Sequence, residues 1–548
     1  MQCRVFSVIK AGYKTENPPA HMILLRALKR FFCPLWFRIV LGLALVCVLL
    51  VVGTYWLLNW KGRQMLLHAE QQIAREGETL DFKSLLPEPP PDSENLGGLP
   101  VFKNITLPGA EGDGVRERLA GFEIAAKTGD EKPRPTTNPW ASLSSPVNLA
   151  RTAEWLRAGG KVRMRDATGN DADDIFTALS AQDSLVQEMM SGVDRPHAMW
   201  VPSLKTRELP DMMFALEVPH YKHIQEMTNY LALRAVAALQ AGHARAGYEA
   251  ILLQLRLAQA TEKEGLVIGA LVAITQTAIV TQPMWEFCRA RAGTADDFRR
   301  LRRELDQMSP YTAVLQAFRG ELATNVSSIC WIRDDPDKRV AGELAAGESR
   351  AWWKDALVKG VPTGAYDANT ATMAAIYLEH FIKPLRDEGF TTMKEHHREV
   401  EELKGKSKSS LFLYPDYFLS RLVFPMMTRI VQRTANAEGM VQMMRTACSL
   451  EAFYLVHGSY PERLTELVDE NGKPVGAAVD PMTNGPVSYR RTEDGRYRLW
   501  MTGPDREDDG GRRILDSENP EKTKLYEPGY EGDWVWEYVE VKTEQSKD

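Results

Sequence analysis

Near the end of the chain, Asp505 to Asp516 (DREDDGGRRILD) puts side-chain oxygens at positions 1, 3, 5 and 12 of a loop, with Gly510 at position 6. Calcium takes about six to eight hard oxygens from such a loop, and the glycine permits the sharp turn that gathers them. Asp505, Glu507, Asp509 and Asp516 are therefore the candidate metal ligands. Glu507 stands where Asp or Asn is usual, and Asp516 is shorter than the bidentate Glu expected at position 12. The flanking Tyr497 to Thr502 reads as strand, so the competing reading is a solvated acidic hairpin loop that keeps a sheet edge soluble.

Other chemistry-bearing residues are weaker. His220-x-x-His223, with Glu217 and Glu226, shares a helix face, but zinc needs three or four ligands and no HExxH or distant third ligand can be named. A helix start at Pro219 with incidental polar neighbours is the preferred account. His396-His397 reads as part of an exposed charged helix. Gly405-Lys406-Ser407 resembles the end of a phosphate loop, yet Val400 occupies the earlier glycine position and helical sequence precedes it. No GxSxG elbow or GxGxxG turn occurs, so no nucleophile or acid–base pair stands out.

The elements that must position these residues begin with a membrane segment. Ile39 to Trp60 is 22 residues without a charge, and a bilayer core of about 30 Å needs roughly 20 apolar residues in a helix. Seven Lys or Arg against Glu16 precede it, while residues 61 to 81 hold three basic residues and four acids. That asymmetry predicts a cytoplasmic head at 1–38, a transmembrane helix at 39–60 and a body outside the inner membrane. Tyr55, Trp56 and Trp60 close the span where a signal peptide would end in small residues, so an uncleaved anchor is expected. A second uncharged run, Gly265 to Trp285, contains Gln276, Gln282, three Thr and Pro283. It reads as a buried helix of the body.

With 44% hydrophobic and 26% charged residues over 548 positions, the chain can form two or three globular parts. A net charge of -6, without a basic block beyond the head, argues against nucleic acid. Residues 61–98 read as a membrane-proximal helix and a proline-rich linker (LLPEPPPDSENLGG) that holds the body off the bilayer. Residues 99–217 are a mixed region of unclear fold, with one helical stretch near Ala172 to Met190. Residues 218–425 form a helical domain, a bundle or short solenoid. Within it, Leu231, Ala235 and Leu239, then Ile251, Leu255 and Ala258, mark two antiparallel helices about a turn at Ala241-Gly242-His243. Further helices are expected at about 266–291, 295–307, 310–326, 371–384 and 390–404, with a long insertion between Arg333 and Asn369. Residues 426–548 are a small α+β module: a long helix opened by Pro425 and stopped at Gly458, a second short helix through Val468, then strands at Val487 to Arg491, Tyr497 to Thr502 and Trp534 to Val541. Cys288, Cys330 and Cys448 lie outside the head and span, an odd number with room for one disulfide.

The segments LEAFYLVHGSYPERLTELV, DPMTNGPVSYRR and DGRYRLWMTGPDREDDGG resemble, in order and over roughly 110 residues, the globular domain of the type II secretion major pseudopilin. The resemblance implies a long helix on a small antiparallel sheet and calcium in the acidic loop after the "GPD"-like turn. The chain departs from that family in lacking a prepilin-peptidase site before the span. The upstream part, with ARAGYEAILLQLRLA, is similar to uncharacterised membrane-anchored helical proteins that carry this module. The expectation is a mainly α, single-span, extracytoplasmic structural or interaction component of the cell envelope with envelope or secretion partners. The alternative is an envelope hydrolase whose active site lies between residues 99–217 and the helical body.

Overall fold

The computed structural model describes residues 35–124, 145–159, 161–164, 168–210, 213, 216–338, 359–390, 420–468, 475, 478–514 and 530–538. The fold is mainly helical, with one small three-stranded antiparallel sheet near the C-terminus. Beyond a single α-helical turn at Phe82–Leu85, the described α-helices are α1 (Leu35–Arg75), α2 (Ala110–Leu119), α3 (Leu149–Gly159), α4 (Asp171–Leu179), α5 (Asp183–Met190), α6 (His220–Gln240), α7 (Ala244–Glu262), α8 (Val267–Ala290), α9 (Ala295–Asp306), α10 (Pro310–Asp334), α11 (Thr363–Tyr377), α12 (Lys383–Glu388) and α13 (Ser420–His457). The strands are β1 (Ser488–Arg491), β2 (Tyr497–Met501) and β3 (Trp534–Glu537), paired in that order. All but the first residue of the helix expected at 390–404, and the inner part of the 333–369 insertion, lie outside the described residues.

Helix α1 changes character along its length. Among the described residues two helices are long and apolar enough to cross a membrane: the apolar window of α1 is 0% buried, that of α8 is 61% buried. The α8 window therefore belongs to the protein interior, and the α1 window faces outward on all sides. From Asn59 onward α1 enters the body, burying Leu66, Ala69 and Ile73, spaced three and four apart. Its crossing with α11 is set by two glycines. A side-chain carbon on Gly62 would land on the Gly364 carbonyl, and one on Gly364 would land on the Leu58 carbonyl. Asn59 seals the contact by accepting the Gly364 N–H at 2.8 Å and the Thr363 hydroxyl at 3.1 Å. At the far end Glu78 takes a bidentate pair from Arg319 (2.7 and 2.8 Å), while Glu76 meets Lys383 at 3.2 Å and Arg386 at 3.0 Å. Bidentate arginine pairs fix orientation as well as distance.

The proline-rich segment does not act as the expected spacer. Leu86 and Leu96 are buried, the Leu96 N–H bonds the His197 carbonyl at 2.9 Å, and the Lys205 ammonium bonds the Leu86 carbonyl at 3.0 Å. Leucines flanking the proline run supply enough apolar surface to dock the strip, which charge-and-proline composition alone does not reveal.

The described residues between 99 and 217 form short helices stitched by arginines. Arg116 donates to the Ile105 carbonyl (2.8 Å) and Asp113 (2.7 Å), Arg207 to the Thr106 carbonyl (2.8 Å), and Arg256 of α7 to the His197 carbonyl (2.9 Å). Each arginine satisfies backbone carbonyls that an irregular chain would otherwise bury unpaired. The single stretch expected at 172–190 is two helices, α4 and α5, parted by a 3₁₀ turn at Ser180–Gln182.

Helices α6 and α7 form the expected hairpin. Gly242 adopts a left-handed φ of 84°, and the His243 N–H closes on the Ala238 carbonyl at 2.7 Å. Thr294 and Asp297 cap α9 reciprocally, and Ser309 with Pro310 opens α10. Helix α13 begins five residues before Pro425 and packs against α8, α9 and α10 as well as β2. Its residues Met440, Met444 and Cys448 belong to one continuous hydrophobic core that runs from Ala69 to Tyr538. The terminal module is thus built onto the body through a shared core. The short helix expected through Val468 is only a 3₁₀ turn at Leu464–Glu466, and β3, expected to Val541, ends at Glu537, with Tyr538 no longer strand and 539–541 outside the described residues.

Candidate functional site

Strand β2 runs into the acidic loop, and the sequence makes that loop turn tightly. Arg506, Gly510 and Gly511 take left-handed φ values of 69°, 72° and 81°, so Gly510 does occupy the turn that a ligand loop requires. The Asp505 carboxylate accepts the Glu507 N–H at 3.2 Å, and Asp508 accepts the Trp500 indole N–H at 2.8 Å and the Gly510 N–H at 2.9 Å. Asp508 thereby ties the loop to the sheet. Asp505 is half-buried, Glu507 and Asp509 are exposed, and Asp516 lies outside the described residues.

A fifth carboxylate escaped the sequence reading. Asp533, just before β3, is fully buried behind the loop. Its Oδ2 accepts the Gly511 N–H at 2.7 Å and the Arg512 N–H at 3.3 Å, while its Oδ1 has no partner among the described residues. Burial, helped by the neighbouring Asp508, pushes its carboxyl up to about 6. Burial also raises Asp505, with Asp509 and Glu507 adding repulsion. A buried oxygen without a donor, with the Asp508 charge near enough to raise its carboxyl, is the electrostatic setting that a hard cation relieves. Among the described residues no three acidic or histidine side chains group tightly enough to enclose a metal by themselves. A cation there would complete its shell from backbone carbonyls and water, as calcium sites commonly do.

The His220/His223 pair does not converge. His220 Nε2 lies 3.0 Å from Glu264, fully buried at the start of α6, whereas His223 lies 3.7 Å from Glu226 on another side. Glu217 contributes its backbone carbonyl to Arg207 at 3.0 Å. His396, His397 and the Gly405-Lys406-Ser407 segment lie outside the described residues. Beside Glu264 opens a cleft of about 250 Å³ including open solvent, lined by Leu86, Trp200, Ser203, Lys263 and Glu264 among others. The Lys263 ammonium there bonds the Ala198 carbonyl at 3.1 Å, and burial lowers its pKa.

Two buried carboxylates mark seams in the body. Glu451 of α13, with no exposed surface, accepts the Tyr460 hydroxyl at 3.0 and 2.9 Å and pairs with Arg291 at 3.3 Å. Arg291 ends α8 in a left-handed conformation and stacks on Tyr454 at 3.6 Å. Glu262, at the end of α7, accepts the Ser309 N–H at 3.2 Å, and its other oxygen is buried without a partner among the described residues. Burial raises its carboxyl from the ordinary 4.5 to about 8.

The Glu262 shift has a signed consequence. The folded chain keeps this proton across a window, about pH 4.5 to 8, in which the unfolded chain releases it, so stability falls as pH rises through that window. Glu262→Gln should flatten this slope: equal to the parent near pH 4.5, and more stable by at least about 1.4 kcal/mol above pH 8, the worth of one pKa unit. Thermal unfolding of both proteins across that range measures it. Parallel curves at all pH values would reject the assignment.

No family model, curated protein or solved structure matches this chain.

Proposed function

We propose that the chain is a membrane-anchored structural or protein-interaction component of the cell envelope, held in the cytoplasmic membrane by α1 with its body outside. The observation that carries the reading is the division of α1: a bare apolar half long enough for a bilayer, continued without a break by a half buried in the body. The basic head sets the orientation. Because α1 is clamped at Gly62–Gly364 and at Glu76–Glu78, the body is a rigid continuation of its anchor, a geometry suited to presenting a fixed surface to secretion or envelope proteins.

The terminal module keeps its pseudopilin resemblance as part of the proposal, since a long helix lies on a three-stranded antiparallel sheet in the expected order. Its helix is embedded in the body, which leaves it unsuited to the helix-to-helix polymer of a pilus. Calcium in the 505–516 loop, with Asp533 behind it, would rigidify the end of the module. The hydrolase alternative gains little from the cleft, whose lysine is held against a carbonyl.

The calcium reading is tested on the full chain in detergent. Calcium at a hundredfold its dissociation constant should stabilise the protein by about 2.7 kcal/mol. Asp509→Asn should weaken that response, and magnesium at the same concentration should not reproduce it. No change of the unfolding midpoint at millimolar calcium removes the metal from the proposal and leaves the anchor untouched.

A further inference from the structure

Cys288 and Cys448, far apart in the sequence, meet where α8 crosses α13. Both are fully buried. The Cys448 sulfur lies 3.7 Å from the Met284 sulfur, and Met284 sits one helical turn before Cys288 on the same face of α8. Cys288 thus lies in the same buried α8–α13 seam as Cys448. Cys330, by contrast, is partly exposed on α10, and Cys47 is on the bare half of α1. Of the four described cysteines, these two share an interface between packed helices.

We propose that Cys288 and Cys448 are a disulfide-forming pair that staples the long helix of the terminal module to the helical body. The inference rests on the extracytoplasmic placement proposed above, because disulfides persist in oxidising compartments. The chemistry is ordinary thiol–disulfide exchange. One cysteine, as its thiolate, attacks a disulfide donor of the small-molecule or oxidoreductase class and releases a donor thiolate. The second cysteine then displaces the remaining donor sulfur, so the pair loses two protons and two electrons and the donor leaves as a dithiol. The two sulfurs must close to about 2.05 Å, a movement that the unbranched Met284 beside Cys448 can accommodate. Since neither thiol reaches solvent, the bond must form while α8 and α13 dock, before the interface shuts. Burial raises the Cys288 thiol well above its ordinary value, with Cys448 adding to the effect, so a pair left reduced is a poor nucleophile once enclosed.

The test uses full-length protein in its own membrane, quenched in acid, denatured and treated with N-ethylmaleimide before and after reduction. Cys288 and Cys448 should resist alkylation until reduced and should appear as one linked peptide lacking two hydrogens, while Cys330 is alkylated at once. Cys288→Ala should free Cys448 for alkylation. A parallel preparation carries Glu493→Cys in an exposed turn of the module, probed in intact spheroplasts with a membrane-impermeant maleimide. If that position is reached from outside but both buried cysteines alkylate without reduction, the staple is refuted and the placement stands. If the position is not reached and both alkylate, placement and staple fall together.

Discussion

Replacing Gly364 by leucine should detach the anchor from the body and lower stability by about 3 kcal/mol, the upper end of overpacking costs. The reason is backbone meeting backbone. A side-chain carbon at Gly364 collides with the carbonyl of Leu58 and the Cα of Asn59, and neither can turn aside as a side-chain tip could. Relief requires α11 to move away from α1, which also breaks the Asn59 bonds to Thr363 and Gly364. Gly114 supplies the control. It lies in α2 with nothing within 4 Å of its added carbon, so Gly114→Ala should be neutral or stabilising by about 0.5–1 kcal/mol. Thermal unfolding in detergent, read beside limited proteolysis near residue 76, separates the two outcomes. Equal midpoints for Gly364→Leu and the parent would mean that α1 and the body are not joined at this crossing.

The second large effect is expected at the seam between body and module. Glu451→Ala should cost about 3–5 kcal/mol, because it strands Arg291 and the Tyr460 hydroxyl in a nearly dry site. Glu451→Gln should cost far less. Burial pushes the Glu451 carboxyl up to about 7, against the pull of Tyr460 and Arg291, so below that pH the folded protein already holds it neutral. Glutamine can still accept from both partners. The sign follows from the raised value: the folded state retains a proton that the unfolded chain gives up above the ordinary 4.5, and stability from this group declines between about pH 4.5 and 7. The gap between the Gln and Ala variants, measured by denaturant unfolding at pH 6, should therefore exceed about 2 kcal/mol. A Gln variant as damaged as the Ala variant would show that the charge, not the hydrogen-bond acceptor, holds the seam.

Features carried by local spacing were legible in the sequence. The α6–α7 hairpin follows from apolar residues every three or four positions and a single left-handed glycine, and the polar residues of α8 announced a buried helix rather than a second span. The three strands came from β-branched and aromatic runs separated by turn residues. What composition could not disclose was long-range satisfaction of polar groups. The docking of residues 85–98 depends on Lys205 and on the His197 carbonyl, and the 99–217 region depends on Arg116, Arg207 and Arg256 reaching distant carbonyls. The division into separate globular parts failed for a related reason. Helix α13 is apolar on more than one side because it faces both the sheet and three body helices, and a stripe read as the core of a small module also serves the body.

The acidic loop was legible in part. Its turn glycine was legible from spacing, since Gly510 takes a left-handed φ, whereas Asp533 sits beyond a long connection and reaches the loop only through the pairing of β2 with β3. A Gly-Asp pair immediately before a Trp-rich strand was the only sequence hint.

The most direct measurement is the side of the membrane on which the body lies. Protein carrying Glu493→Cys, extracted with alkaline carbonate after exposure of intact spheroplasts to an impermeant maleimide, should remain in the membrane pellet and carry the label. Release of the intact chain by carbonate, or labelling only after the membrane is broken, would contradict an α1-anchored body outside the cytoplasm.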